Sequence, residues 1–290
     1  MPNAEHRRQL ALILTRLGIK PIDAQASQIA QFLRYSHHER LLTTVEYLHQ
    51  RRERALEFQK DAKELTEVQQ ALLDPERIWK IAISDYNTQM RNYAFLYLAF
   101  NILEDSLRRA VDLHYSQKYG DTWYTNSAYY PAKLVPTGSN PDPRKVQKLA
   151  GLMGAVTGHT CMADLSLGDL LQFVHPHDAW HTHQVKDLFA ARPGPEDRAI
   201  TLPALSQCDA YEKLTILQWR RNAVYHHNNL QEVYTIPARG SCRPRRRRDG
   251  KFANTRDRIY EVMRYLGLRP HLVMTRITGQ SDTLPEPKST

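Results

Sequence analysis

The sequence predicts an all-α fold, and three observations support this prediction. Only 12 of the 290 residues are glycine, fewer than a sandwich of many short strands would need at its turns. Apolar residues recur at intervals of three and four over long stretches, which is the period of an amphipathic helix. Hydrophobic residues make up 41% of the chain and charged residues 24%, so an ordinary buried core is expected. The length indicates one or two domains.

Residues 1–74 are predicted to form an N-terminal helical extension. Its first helix is expected between Asn3, as the cap, and Gly18, and a short second helix follows. A third helix is expected to run from His38 to Leu73, because neither glycine nor proline interrupts that stretch. Pro75 ends it, since the residue before a proline avoids the helical region of backbone space.

Residues 75–278 are predicted to form the second domain, and its first helix is the most hydrophobic part of the chain. This helix is expected from Glu76 to Lys118. Its buried stripe repeats every three and four residues and consists of Met90, Tyr93, Tyr97, Phe100, Leu107 and Val111. A polar stripe runs beside it and consists of Asn101, Asp105, Arg108 and Asp112. Glu104 lies one turn before Arg108, a spacing that favours an ion pair.

Prolines and glycines predict a loop at residues 121–142, after which helical patterns return. Helices are expected at residues 144–155, 162–174 and 255–267. Another helix begins at Ser206, with Asp209 three residues later as a variant of the capping box. His271–Thr278 is interpreted as a short strand, and residues 279–290 as a polar tail.

Membrane and secreted classes are not expected. The longest apolar run, Tyr93 to Phe100, is much shorter than the about 18–20 residues that span a bilayer. The first ten residues are polar, so they do not resemble a secretory signal. The three cysteines are odd in number and widely spaced, so no disulfide framework is expected. A reducing, cytoplasmic location is therefore predicted.

The helix that Ser206 begins carries the most informative motif. Arg221 is followed by the polar Asn222, three further residues, and then His226 and His227. Here the sequence resembles the HEPN superfamily, and within it the Abi-like and Swt1-like members. Further matches to this group occur upstream in the same order, at Asn101, Glu104, Leu107 and Arg108, at residues 120–123 and at residues 165–170. The resemblance covers residues 78–268.

The resemblance implies a HEPN-type helical bundle that acts as a metal-independent endoribonuclease and homodimer. No cofactor is expected. It also implies a bacterial toxin or an anti-phage abortive-infection effector. The N-terminal helices lie outside the resemblance and are the candidate contact for an antitoxin or another regulatory partner. Arg221 would stabilise the phosphorane, His226 would act as acid or base, and Asn222 would orient the reacting groups. Glu104, Arg108 and His227 are the supporting candidates.

The residue types suit RNA cleavage on chemical grounds. Histidine titrates near neutral pH and can serve as acid or base, and the planar guanidinium of arginine matches phosphate oxygens. On an ideal helix Arg221 and His226 lie roughly 140° apart. Both can face one phosphate only if the helix distorts near His226 or if two copies of the motif line one cleft, as in HEPN dimers.

Other interpretations stay open. The bare motif is not specific, because Arg109 and His114 have the same Arg-x4-His spacing. An arginine and a histidine near a helix end could also only cap carbonyls. The chain would then be a non-catalytic scaffold that binds nucleic acid or another protein. Glu104 and Arg108 could likewise form an intrahelical pair on a solvated face.

Basic charge is concentrated in one segment after the motif, within a chain whose formal net charge is +9. Its residues Arg239, Arg243, Arg245, Arg246, Arg247, Arg248 and Lys251 are predicted to form a flexible loop that binds nucleic acid through phosphates. The alternative is a solvated loop without a partner.

A cluster of possible metal ligands consists of His175, His177, Asp178, His181 and His183. His177 and His181 have a spacing that can bind zinc from a helix, but Pro176 lies within the cluster and HExxH is absent. An exposed loop is therefore favoured, and no metal site is predicted.

Overall fold

The structure is a computed structural model, and it describes residues 4–61, 63–174, 178–226, 234–236, 245–247 and 252–278. The fold is predominantly helical, which confirms the all-α prediction. The contacts divide the described residues into two compact units. The first contains residues 4–95 and His226, and the second contains residues 96–225 together with the described residues after 226. The first unit thus extends beyond residue 74, where the sequence predicted a boundary.

Helices are described at α1 (Ala4–Leu17), α2 (Ala24–Phe32), α3 (His38–Lys60), α4 (Glu67–Leu73), α5 (Pro75–Tyr119), α6 (Pro143–Met153), α7 (Gly158–Ala163), α8 (Leu167–Leu170), α9 (Gln207–Tyr225), α10 (Phe252–Tyr265) and α11 (Pro270–Thr278). Short 3-10 or π turns lie at Trp123–Thr125, Ser127–Tyr129, Leu171–Phe173, Asp178–Thr182 and Val185–Phe189. Two antiparallel strand pairs join β1 (Arg192–Pro193) to β2 (Thr201–Leu202) and β3 (Tyr234–Ile236) to β4 (Arg245–Arg247). Within the described residues, no helix is both long enough and apolar enough to cross a bilayer.

The first unit is built around an aromatic centre in its core. The ring of Phe32 meets Trp79 edge to face at 5.6 Å and Tyr86 at 5.3 Å. The backbone N–H of His37 donates to the hydroxyl oxygen of Tyr86 at 2.7 Å. Because α2 contacts α5 through these rings and the cap residue of α3 bonds to Tyr86, the core fixes how the N-terminal helices pack within this unit.

The predicted helix from His38 to Leu73 is wrong at one point, since α3 ends at Lys60 and α4 begins after Thr66. A capping box causes the new start. The backbone N–H of Gln69 donates to Thr66 Oγ1 at 3.3 Å, and the N–H of Thr66 donates to Gln69 Oε1 at 2.9 Å. The sequence contains this Thr-x-x-Gln pattern, and it starts a new helix although no glycine or proline interrupts the stretch.

Replacing Thr66 with alanine is expected to lower the free energy of unfolding by about 1 kcal/mol, because the first turn of α4 loses its cap. Urea denaturation of the Thr66→Ala variant measures this loss. Thr43 is the matched control, since it is exposed on α3 and its hydroxyl only bonds the Glu39 carbonyl. Thr43→Ala should change the unfolding free energy by less than about 0.5 kcal/mol. Equal losses in the two variants would contradict the capping role.

In the second unit, Trp123 links α5 to α7. Its ring is buried among those of Tyr115, Tyr130 and Phe173. The indole Nε1–H of Trp123 donates to Asp112 Oδ1 at 2.9 Å. Gly158 packs directly on this pair. A Cβ at that position would collide with Asp112 Oδ1, so α7 can approach α5 this closely only with glycine there.

Two further predictions differ from the structure, the buried stripe on α5 and the strand at the C-terminal end of the second domain. The stripe on α5 is fully buried at Phe100, Leu107 and Val111, but Tyr97 is 49% exposed. Tyr97 instead packs against the ring of Tyr225 on α9, a contact that the spacing of apolar residues along α5 cannot predict. His271–Thr278 belongs to the helix α11 and is not a strand. Pro270 begins that helix, and proline fits a first turn because its missing N–H is not needed there.

The cysteines also differ from the prediction. Cys208 is disulfide-bonded, whereas the odd count and wide spacing of the cysteines indicated no disulfide. Spacing along the chain does not report which cysteines meet after folding. Cys161 is a buried free thiol, and burial raises its pKa.

Candidate functional site

Helix α9 positions the central residue of the motif, Arg221. The helix starts at the predicted cap, because Ser206 Oγ accepts from the backbone N–H of Asp209 at 3.1 Å and donates to its carboxylate at 2.6 Å. Ala210, Leu214 and Leu217 form a buried seam along this helix. Arg221 continues this seam one turn later, and α9 ends at Tyr225. The arginine therefore points into the packed face and not into open solvent.

Glu104 on α5 meets Arg221 in the core of the second unit. Its Oε1 accepts a hydrogen bond from Arg221 Nε at 2.7 Å, and its Oε2 lies 3.4 Å from Arg108 Nη2. Only 4% of Glu104 is exposed, so this carboxylate does not lie on a solvated face. The intrahelical pair with Arg108 is therefore present, and the same carboxylate also links α5 to Arg221 on α9.

Arg108 has a second task at the same place. Its Nε donates to the carbonyl of Met162 at 3.1 Å, and its Nη2 donates to the carbonyl of Leu165 at 3.0 Å. These bonds fix the chain between α7 and α8 against α5. Gly168 in α8 approaches α9 closely, since a Cβ there would lie 2.9 Å from Gln218 Nε2. Two of the upstream segments that matched the family pattern, residues 101–108 and 165–170, thus lie against the helix that carries the motif.

Tyr225 supports Arg221 from the other side, and the sequence analysis did not single it out. The guanidinium carbon of Arg221 lies 3.8 Å from the centre of the Tyr225 ring. The phenol O–H donates to Asn101 Oδ1 at 2.9 Å, and the ring lies 4.5 Å from that of Tyr97. Burial, together with the negative charge of Glu104, raises the pKa of Tyr225 to about 12. The phenol therefore remains a proton donor at neutral pH.

The Arg221–Tyr225 spacing could have revealed this contact, because residues four apart on a helix are neighbours. Arg220 was also missed. It is buried, and its Nη1 donates to Thr255 Oγ1 at 3.1 Å, which ties α9 to α10. Nothing in the local sequence around Arg220 indicated that it would bond to Thr255, 35 residues away.

The guanidinium of Arg221 keeps an edge for an anion. Its Nε is used by Glu104, and its Nη1 donates to Asn222 Oδ1 at 3.4 Å. The side chain as a whole is 23% exposed. Arginine presents its donors in a planar fork, so a phosphate oxygen can bond to the outer nitrogens while Nε stays anchored.

The remaining motif residues lie at or beyond the end of α9. Asn222 is exposed, and its amide oxygen contacts Arg221. His226 is exposed and is the first residue after the helix, so the helix has already ended where the sequence analysis required it to distort. His227 lies outside the described residues.

The basic segment is described only in part. Arg245, Arg246 and Arg247 form β4, which pairs with β3 in the register Arg247 opposite Tyr234. A fully flexible loop is therefore wrong for these three residues, because the backbone of a paired strand is held by its ladder. Arg239, Arg243, Arg248 and Lys251 lie outside the described residues.

The histidine cluster does not converge on a metal centre within the part of the chain that the structure describes, where no group of three His, Cys, Asp or Glu side chains could hold an ion. His175 and His177 lie outside that part. His183 Nδ1 lies 2.7 Å from the hydroxyl of Tyr119, and its ring packs on Tyr115. His183 is therefore part of an aromatic contact in the second unit.

Three segments that are distant in sequence supply the described site. Residues 97–108 provide the carboxylate and its neighbours, residues 162–168 pack beside them, and residues 217–225 carry Arg221 and Tyr225. The turn at residues 120–123 lies elsewhere on α5, where Trp123 bonds to Asp112. Comparisons of the chain with family models, with curated proteins and with solved structures found no match.

Proposed function

We propose that the chain is a metal-independent endoribonuclease of HEPN type. One observation carries the proposal: Arg221 is anchored by the buried Glu104 and stacked on Tyr225, while 23% of its side chain stays exposed. A charged fork held in one orientation can stabilise a developing phosphorane without reorganising during the reaction. Glu104 and Tyr225 then act as positioning residues for the arginine.

The reaction needs a base and an acid besides this arginine, and His226 of each subunit of the proposed homodimer is the candidate for these two roles. The 2′-hydroxyl loses its proton to a base, and the 2′-oxygen bonds to phosphorus. The bond from phosphorus to the 5′-oxygen breaks, and an acid gives that oxygen a proton. The products are a 2′,3′-cyclic phosphate and a free 5′-hydroxyl. Asn222, beside Arg221 at the exposed end of α9, would orient the phosphate.

A homodimer would supply the rest of the geometry. Two motifs around a two-fold axis can offer an arginine of one subunit and a histidine of the other to one phosphate. The resemblance to Abi-like proteins further suggests a toxin or abortive-infection role in the cytoplasm. Residues 1–74 would then be the segment that meets an antitoxin or regulator.

RNA cleavage by the purified protein in EDTA tests the proposal. The wild type is expected to cleave members of a broad RNA panel and to leave cyclic phosphate ends. His226→Ala should lower the cleavage rate by about 100-fold or more, the usual contribution of a general acid or base. His159→Ala is the control, since His159 is also exposed and lies away from the motif on α7. Equal rates in the two variants, or no cleavage by the wild type, would reject the catalytic assignment.

A non-catalytic RNA-binding scaffold is the second candidate. The observation that favours it is the close ion pair itself, because Glu104 already neutralises Arg221 as a structural pair would. RNA binding would then depend on β4 and its basic neighbours. In that case Arg245, Arg246 and Arg247 replaced by glutamine would weaken RNA binding and reduce its salt dependence, while Arg221→Ala would leave affinity unchanged.

A further inference from the structure

The second Arg-x4-His pair of the chain, Arg109 and His114, lines a cavity in the second unit. The cavity volume is about 430 Å³, within the range of small-molecule sites. Its other walls come from Leu188 in the turn Val185–Phe189, from Arg192 in β1, and from Leu266 directly after α10. The site described above does not use this space.

The charge that lines the cavity is predominantly positive. Arg109 and Asp105 pair through Nε and Oδ2 at 3.1 Å, and 69% and 53% of their side chains are exposed. Arg192 donates instead to backbone carbonyls, those of Tyr265 at 2.8 Å and of Asp187 and Leu188 at 2.9 Å. Among the described residues no carboxylate pairs with Arg192. The two arginines therefore exceed the one aspartate by a single charge.

The donors of Arg109 are also available. The contact with Asp105 uses Nε, and no described hydrogen bond uses its Nη1 or Nη2. The guanidinium fork can therefore bind a carboxylate, sulfonate or phosphate through two parallel N–H bonds. Gln117 lines the same cavity and adds an amide donor.

Several leucines also line the cavity, beside the polar Ser106, His114 and Tyr265. Leu113 is 59% exposed although it is a large aliphatic residue, and Leu188, Leu266 and Leu268 are only partly buried. A ligand with an apolar body would cover these leucines, and burial of their surface would be favourable by roughly 25 cal/mol per Å². A fully hydrated anion would leave them exposed.

We propose that this cavity binds a small organic anion, with one anionic group on the Arg109 fork and an apolar body over Leu113 and Leu188. The inference does not rest on the nuclease proposal, because none of its residues belongs to the Arg221 site. The ligand class is an aromatic or branched aliphatic monoanion of drug-like size.

The test compares two dyes that differ in charge. 8-Anilinonaphthalene-1-sulfonate is anionic, and N-phenyl-1-naphthylamine is its neutral counterpart. The wild type is expected to bind the sulfonate saturably at one site and at least tenfold more tightly than the neutral dye. Arg109→Ala should weaken sulfonate binding at least tenfold and leave the neutral dye unchanged. Leu113→Gln should weaken both dyes.

Lys80→Ala is the matched control, because Lys80 is an exposed cation that pairs with Glu76 at the same spacing on the same helix. It should bind both dyes as the wild type does. Arg109 and Leu113 are exposed, so their replacement does not disturb the core. Sulfonate binding that is non-saturable, or unchanged in Arg109→Ala, would overturn the proposal. Equal affinity for the two dyes in the wild type would overturn its anionic part.

Discussion

Replacing Arg221 with alanine is expected to lower RNA cleavage by about 100- to 1,000-fold, the cost of removing one pre-oriented donor from a developing anion. The expectation follows from the anchoring of Arg221 on Glu104 at 2.7 Å and over the Tyr225 ring. Cleavage rates in EDTA at saturating RNA measure the effect. Binding of RNA should change much less than the rate, since the contact strengthens in the transition state.

Two variants keep this prediction sharp. Arg221→Lys preserves the charge but lacks the planar fork, so it should remain at least about tenfold slower than the wild type. Arg91→Ala is the control, because Arg91 is an exposed arginine on α5 whose described side-chain bond is to Thr88. This variant should cleave RNA at the wild-type rate. Wild-type rates in Arg221→Ala, with Arg91→Ala also unchanged, would remove the arginine from the mechanism.

Replacing Glu104 with glutamine is expected to lower the free energy of unfolding by about 3 kcal/mol, because two arginines lose the buried carboxylate that they share. Glu104 contacts Arg221 through one oxygen and Arg108 through the other. Glutamine keeps the shape of the side chain, so the loss reports charge and hydrogen bonding and not a cavity. Urea denaturation followed by circular dichroism measures it.

The neighbouring residue provides the control. Asp105 also pairs with an arginine four residues later on the same helix, but both side chains of that pair are more than half exposed. Asp105→Asn should change the unfolding free energy by less than about 0.5 kcal/mol, as exposed ion pairs usually do. Losses of equal size in the two variants would show that the burial of Glu104 has no special weight.

Cleavage by Glu104→Gln separates positioning from stability. If Glu104 orients Arg221, the rate should fall by about tenfold or more even at temperatures where the variant is fully folded, while the affinity for RNA stays close to that of the wild type. A purely structural pair predicts instead a normal rate for whatever fraction of the variant is folded. The two outcomes are distinguished by measuring rate and folded fraction on the same sample.

Local chemistry determined much of the fold from the sequence alone. The period of apolar residues predicted α1, α5, α9 and α10, and Ser206 with Asp209 predicted where α9 begins. These predictions succeed because hydrophobic period and helix caps depend on residues within a few positions of one another.

The tertiary structure alone decided which side chains meet. Spacing offered Glu104 only Arg108 as a partner, whereas its shorter contact is with Arg221, 117 residues away. The same reason explains the exposed Tyr97, which lies against Tyr225, and the bond from the buried Arg220 to Thr255. A partner so distant in sequence is set by how helices pack, and packing depends on the whole core and not on any local pattern.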